Sequence, residues 1–473
     1  MGLVLQINLL YMTDFKELNL STKILTTLEK QNYTKATPIQ AQAIPHLLAG
    51  KDLLGIAQTG TGKTAAFAIP ILENLGKSNN SVRANNVRAL ILTPTRELAA
   101  QIHDKIQCYG ESFKLRSDVI FGGVNIKPQI AALSRGSDIV IATPGRLLDL
   151  LNQGYVHLMR VEIFVLDEAD RMLDMGFIRD INKIVAKLPK NRQNLLFSAT
   201  MPKDISSLAN SLLNDPVKIE VTPESTTVDK IDQKVHLVAK EDKPALLKAI
   251  INQKTTESVL VFTKTKYGAN RVERYLNKVH ITAEAIHGDK VQSAREKALD
   301  SFRSGKTKVL IATDIVARGI DIPHITHVIN FDLPHDPESY VHRIGRTARA
   351  GRSGIAITFC DPSEHKMLKA VEQAINYHIP RDHSHPFSDV KDKHNQGSKP
   401  NQAQAIKQTP SKSNKTSASE KPKQGMPSRT ANHTSLTNKK PHSKNKSKSG
   451  KAKPTEELSF FARQRARFFG KKK

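Results

Sequence analysis

The sequence predicts an α/β protein: two tandem doubly wound parallel-sheet domains followed by a disordered basic tail. Three observations lead there. From residue 14 to about 380, short β-branched runs alternate with longer helical patterns, which is the mark of βα units feeding a parallel sheet. The runs fall into two series, at 52–56, 87–93, 138–143, 163–166 and 194–197, then at 258–262, 283–286, 308–312, 327–331 and 354–359. Each series has the length of one domain, and the polar, turn-prone stretch Thr222-Pro223-Glu224-Ser225-Thr226-Thr227 lies between them. After residue 381, Lys, Ser, Asn, Gln, Pro and Thr dominate and apolar residues almost vanish until Leu458, so that segment cannot bury enough surface to fold. The expected boundaries are an extension at 1–12, a first domain at 13–220, a linker at 221–232, a second domain at 233–380 and the tail at 381–473.

Bulk properties narrow the function. A chain of 473 residues builds full cores without disulfide staples, and its net charge of +27 asks for a polyanionic partner. Charge alone leaves RNA, DNA and an acidic membrane open. Residues 391–473 hold 22 basic and 4 acidic residues, so +18 of the charge sits in the tail and the domains are only mildly basic. No run reaches the ~18 to 20 apolar residues of a bilayer span, so no membrane association is expected. Cys108 and Cys360 sit in no CxxC or metal-ligand spacing, which fits free thiols in a reducing, cytoplasmic compartment. The apolar opening stretch lacks a basic flank and a cleavage site, and Met12 is read as the natural start. At the far end, Thr455 can cap a short helix with acids in its first turn and arginines among phenylalanines after it, an RNA or partner contact or simply a solvated end.

The chemistry begins at Ala57-Gln58-Thr59-Gly60-Thr61-Gly62-Lys63-Thr64, which follows a strand and precedes the helical run Ala65-Ala66-Phe67-Ala68-Ile69. That is the context of a phosphate-binding loop. Gly60 and Gly62 permit the tight turn, backbone amides cradle the β- and γ-phosphates, Lys63 supplies a point charge, and the Thr64 hydroxyl can hold Mg²⁺. Ala57 stands where the usual pattern has glycine, and taken alone the stretch could be a glycine turn before a buried helix. The second half removes most of that ambiguity. The apolar strand Phe164-Val165-Leu166 delivers Asp167 and Glu168 at its carboxyl end about 100 residues later. Asp167 is placed to coordinate Mg²⁺ directly or through water, and Glu168 to accept a proton from the attacking water. NTP hydrolysis is the reading of this pair of motifs.

Asp167-Glu168-Ala169-Asp170 spells D-E-A-D, and the chain here closely resembles the DEAD-box RNA helicases of the second helicase superfamily. The resemblance covers residues 15 to about 352 and extends, in the family's order, through Pro94-Thr95-Arg96-Glu97-Leu98-Ala99, Gly122-Gly123, Thr143-Pro144-Gly145-Arg146, Ser198-Ala199-Thr200, Val261-Phe262-Thr263, Ala312-Thr313-Asp314, Ala317-Arg318-Gly319-Ile320-Asp321 and His342-Arg343-Ile344-Gly345-Arg346-Thr347-Ala348-Arg349. Upstream, Tyr33-Thr34-Lys35-Ala36-Thr37-Pro38-Ile39-Gln40 is similar to the family's adenine-recognition motif, with Phe15 as its isolated aromatic. A glutamine amide can donate to a ring nitrogen of adenine and accept from its exocyclic amine, which guanine reverses, so ATP is expected over GTP. Asn32 replaces the usual glycine and Ala36 the usual proline. The core motifs, with no obvious folded RNA-binding module after them, are most similar to the bacterial RhlE-type branch.

The resemblance implies two RecA-like domains with ATP in the cleft between them. Arg346 and Arg349 match arginine fingers that reach the γ-phosphate, Asp321 matches a ribose contact, and Ser198, Thr200 and His342 match a network coupling hydrolysis to closure. Thr95, Arg96, Gly123, Thr143, Arg146, Thr263 and Thr313 match the RNA side. Hydroxyls, glycine amides and arginines suit phosphate and ribose, so binding should be sequence-independent, with 2′-OH contacts rejecting DNA. The implied function is an RNA-dependent ATPase that locally unwinds short RNA duplexes or remodels ribonucleoprotein, in ribosome assembly or RNA turnover. A duplex of ~20 steps at ~1.4 kcal/mol each is too stable to be lost in one local opening. The alternatives are an ATP-gated RNA clamp with little unwinding, or a DNA helicase of the same superfamily. The basic tail would tether RNA, or ribonucleoprotein and ribosome-assembly partners.

Overall fold

The computed structural model describes residues 13–58, 60–77, 82–221, 231–317, 325–348 and 353–388. The chain builds two wholly parallel sheets. The first contains β1 (Leu53–Ala57), β2 (Val87–Leu92), β3 (Ser117–Ile120), β4 (Ser137–Ala142), β5 (Ile163–Leu166), β6 (Gln193–Ser198) and β7 (Val217–Val221), in the order β3-β4-β2-β5-β6-β1-β7. The second contains β8 (Ile231–Leu237), β9 (Val259–Phe262), β10 (Ala283–Ile286), β11 (Val309–Ala312), β12 (His327–Asn330) and β13 (Gly354–Cys360), in the order β10-β11-β9-β12-β13-β8.

Side chains alternate across a strand, so a strand buried on both faces must be apolar at every position. The central strands meet that demand. Ala89, Ile91, Ile139, Ile141 and Val165 join one core, while their neighbours Leu90, Leu92, Val140, Phe164 and Leu166 join the core on the opposite face. The second sheet repeats the division, with Val259, Val261 and Ile311 on one side and Leu260, Phe262 and Leu310 on the other.

Helices start directly after the strands, and their caps fix the residues of interest at the carboxyl ends. The Thr95 side chain accepts from the Leu98 amide to open helix Arg96–Tyr109, and Thr265 accepts from Gly268 to open helix Lys266–Lys278. Thr37 and Gln40 form a capping box around Pro38 at the start of helix Pro38–Leu48. In the first sheet β6 lies between β5 and β1, so the chain segments after all three strands emerge side by side. Strand spacing of about 4.8 Å sets their separation.

Three expectations need correction. The linker expected at 221–232 is shorter, because Val221 closes β7 and Ile231 opens β8. Strands β3, β7 and β8 stand at or near sheet edges with mixed polar sequences, and were absent from the two predicted series. The tail expected from 381 begins later. Pro380 O accepts from Val235 and the Asp382 amide donates back to Val235 O, so this segment covers the exposed edge of β8. Arg381 pairs with Glu372 at 2.6 Å, the His385 ring lies 4.8 Å from that of His236, and Phe387 packs on the core. Residues 1–12, the tail beyond 388 and the terminal aromatic-basic segment lie outside the described residues.

A chain ending at residue 388 is expected to unfold at the denaturant midpoint of the full chain. One ending at 380 loses the Arg381 ion pair and the Phe387 ring, and should lose roughly 2–4 kcal/mol from the unfolding of its second domain. Equal midpoints for the two truncations would contradict the assignment of 381–388 to that domain.

Candidate nucleotide and nucleic-acid interface

The loop after β1 takes a conformation that its glycines require. Gly60 and Gly62 have φ of 89° and 96°, and a Cβ on Gly62 would lie 2.4 Å from the Gln40 amide nitrogen. That close approach exists because Gln40 donates from Nε2 to the Gly62 carbonyl at 3.1 Å while its Oε1 accepts from the Thr37 amide at 2.9 Å. Thr61 Oγ1 donates to Gln58 O at 2.9 Å, and buried Lys63 folds its ammonium back to Ala57 O at 2.9 Å. Thr64 follows in the first turn of helix Lys63–Lys77.

Of the residues expected on the base side, Gln40 alone bonds the phosphate loop. Phe15 is 2% exposed and belongs to the core. The Tyr33 ring meets Tyr109 edge-on at 6.2 Å, and Lys35 pairs with Asp14 at 3.7 Å. Asn32 has φ of 59°, the left-handed conformation that explains why glycine suits the position and why asparagine is tolerated.

The paired acids differ in environment. Asp167 is buried, its Oδ1 has no hydrogen-bond partner, and burial pushes its carboxyl up to about 7 against the opposing pull of Lys63. Burial would raise Glu168 too, but Arg171, Lys63 and Arg346 together hold it below the ordinary glutamate value. Glu168 therefore stays ionised at neutral pH and able to accept a proton. Its backbone, at φ 56° and ψ 53°, is left-handed without being glycine, a strained turn that aims the side chain back toward Arg171.

Asp170, given no role in the sequence reading, ties this region together. Its Oδ2 accepts from the amides of Ala199 at 3.0 Å and Thr200 at 2.8 Å and from Thr200 Oγ1 at 3.1 Å. Ser198 Oγ accepts from the Asp170 amide and donates to Thr200 O. The acid strand and the Ser198–Thr200 turn are thus one bonded unit.

From the second sheet, Arg346 is buried and its Nε donates to the His342 carbonyl at 3.2 Å. The supporting helix Pro337–Ile344 is anchored by Arg343, 1% exposed, which grips Asp314 at 2.6 and 2.7 Å. Thr59, Asp321 and Arg349 lie outside the described residues.

A cavity of about 480 Å³ is lined by residues of both domains. Thr95, Arg96, Gly122, Thr143 and Arg146 line it from the first sheet, and Gly288, Arg295 and Val316 from the second. The Arg96 guanidinium lies over Gly123, where a Cβ would come within 2.0 Å of it, and Arg146 keeps a buried Nη1 without a partner. Thr263 and Thr313 are not among the lining residues. Thr263 is fully buried, with its hydroxyl donating to Thr265 O at 3.3 Å. Across the cavity, Arg295 Nη2 meets Glu97 Oε1 at 2.7 Å and Gln292 reaches the same oxygen at 3.4 Å. The sequence reading quoted Glu97 without a role and passed over Gln292 and Arg295; only their spacing on one helix face was visible there.

The DEAD/DEAH box helicase family matches residues 37–208, and the helicase conserved C-terminal domain matches residues 242–351. The chain belongs to the DEAD/DEAH box helicase family. Among similar proteins, the DEAD-box ATP-dependent RNA helicase CshA of Bacillus subtilis is 44% identical over 359 residues, 76% of this chain and 72% of that one. CshA of Geobacillus kaustophilus is 44% identical over 362 residues, 76% of each chain. These relatives leave the RhlE-type branch a reading of the core motifs alone. Solved structures with the same fold include S. cerevisiae Dbp5 bound to RNA and ADP BeF3, with a TM-score of 0.69, 32% identity and coverage of 78% and 95%. Mss116p bound to ssRNA and AMP-PNP has a TM-score of 0.70, 29% identity and coverage of 78% and 79%.

In this DEAD-box chain the Asp170 carboxylate ties the acid motif to the turn after β6. Asp170→Ala is expected to leave nucleotide affinity within a few-fold while lowering RNA-stimulated hydrolysis tenfold or more, since charge-assisted hydrogen bonds contribute about 1.5–3 kcal/mol each. Parallel binding and steady-state assays check this, and unchanged stimulation would remove Asp170 from the coupling.

Proposed function

We propose that the chain is an ATP-dependent RNA helicase whose nucleotide and RNA sites are both completed by apposition of the two sheets. The observation that carries the reading is the ion pair across the cleft between Arg295 and Glu97 at 2.7 Å, beside which the Arg346 charge helps to hold the Glu168 carboxyl below its ordinary value. Nucleotide is held by the 57–64 loop, with Gln40 reading the base. Mg²⁺ fits the residues present, because the buried, unpartnered Asp167 Oδ1 asks for a cation and Thr64 stands at the start of the facing helix. Bound there, the ion would offset phosphate charge.

Glu168 takes the proton of the attacking water, Lys63 leaves Ala57 O for the β- and γ-phosphate oxygens, and Arg346 with Arg349 balances charge in the transition state. Ser198, Thr200 and His342 transmit closure. On the RNA side Thr95, Arg96, Gly123, Thr143 and Arg146 bind phosphate and ribose, while Asp321 serves the ATP ribose. Closing both sheets on one strand leaves no room for a continuous duplex, so short duplexes open locally and hydrolysis resets the clamp. The +18 tail is an electrostatic tether for RNA or ribonucleoprotein. Free Cys108 and Cys360 support a reducing, cytoplasmic setting, and no described helix is long and apolar enough to cross a membrane.

Steady-state ATP hydrolysis tests this. Single-stranded RNA should stimulate the full chain strongly and DNA of the same sequence should not. Glu168→Gln should lower kcat by a factor of about 100 or more with nucleotide binding retained, the scale of a lost general base. Equal stimulation by DNA, or near-normal turnover in the variant, would contradict the assignment.

A further inference from the structure

The RNA-side residues described so far suit phosphate and ribose, yet an exposed aromatic ring stands on a helix bonded to a loop that lines the same cavity. Helix Lys266–Lys278 begins just after Thr263, and a Cβ on Gly268 would come within 3.6 Å of the Thr263 Cβ, so its first turn lies against that residue. Lys266 Nζ reaches Asp289 at 2.5 Å, and His287 Nε2 meets Asn270 Oδ1 at 2.9 Å. Those two contacts strap the helix start to the loop that carries Gly288, a lining residue of the cavity. The helix start and the loop are therefore one bonded unit.

On this helix Tyr267 is 74% exposed, the most exposed of the large apolar and aromatic side chains among the described residues. The Lys266 ammonium sits 5.2 Å from its ring centroid and fixes it on one side. Exposed Lys264 flanks the ring in the chain, and Lys290 is held nearby by Glu273 at 2.9 Å. An accessible aromatic face among cations, on a helix bonded to the loop of an arginine-lined cavity, matches one ligand chemistry: a nucleobase on a single-stranded polyanion.

We propose that Tyr267 is a stacking platform for one RNA base next to the nucleotides held in the cavity. The inference rests on the RNA reading above. Stacking is indifferent to base identity, because every base has a π-face, so the site adds affinity and holds the strand as it leaves the cavity without imposing sequence preference. It also discriminates against a continuous duplex, in which both faces of every internal base are already stacked.

The test uses the full chain, AMP-PNP and a fluorescently labelled ten-nucleotide uridine RNA. Tyr267→Ala should weaken binding about tenfold and Tyr267→Phe less than twofold, as stacking on a ring is worth ~1–3 kcal/mol per base. Scanning one abasic nucleotide along the RNA should reveal a single position at which the Tyr267→Ala penalty disappears. The chain contains no tryptophan, so Tyr267→Trp supplies one fluorophore whose emission should be quenched by RNA and not by nucleotide alone. Wild-type affinity for Tyr267→Ala, a penalty independent of the abasic position, or an RNA-insensitive Trp signal with normal binding would overturn the stacking site alone. Failure of the wild-type chain to bind RNA would overturn the RNA reading and this inference with it.

Discussion

A carboxylate buried between two domains must find a cation, and Glu97 finds Arg295 on the opposite sheet. Glu97 is 4% exposed and Arg295 6%, and their 2.7 Å contact spans the cavity lined by both sheets. Desolvation makes either charge costly if its partner is removed while the cleft stays closed, by roughly 3–5 kcal/mol. The same constraint operates at the nucleotide site, where the Arg346 charge reaches Glu168 across the cleft. Both pairings thus exist only when the sheets approach.

The fold supplies the means. Because β6 lies between β1 and β5, the phosphate loop, the paired acids and the Ser198–Thr200 turn occupy three adjacent strand ends. Asp170 then binds two of these segments into one unit, with three hydrogen bonds to a single carboxylate oxygen. A displacement of Glu168 or of the turn after β6 is felt by the other. Arg343 does the equivalent in the second sheet, pinning the helix that carries His342 and leads to Arg346 through its paired contacts with Asp314.

Much of this was legible in the sequence because local patterns carry it. Continuous apolar runs mark strands buried on both faces, and glycines mark the phosphate loop, where only residues lacking a Cβ leave room for Gln40. Edge strands such as β7, whose Lys218 and Glu220 point to solvent, lack that continuity and were missed. Contacts between distant segments carry no local signal: Asp170 with Thr200, Arg295 with Glu97, and Arg381 with Glu372 at the start of the supposed tail. Burial of the Phe15 ring and of Thr263 was not legible either, because it comes from packing between distant segments.

The central claim is that one closure completes both sites, and its direct measure is the coupling between them. AMP-PNP affinity should be determined with and without saturating single-stranded RNA, and RNA affinity with and without saturating AMP-PNP. The account predicts that each ligand tightens the other by the same factor, on the order of 5 to 150, as reciprocal linkage requires. Two independent affinities, with a factor of one in both directions, would contradict it.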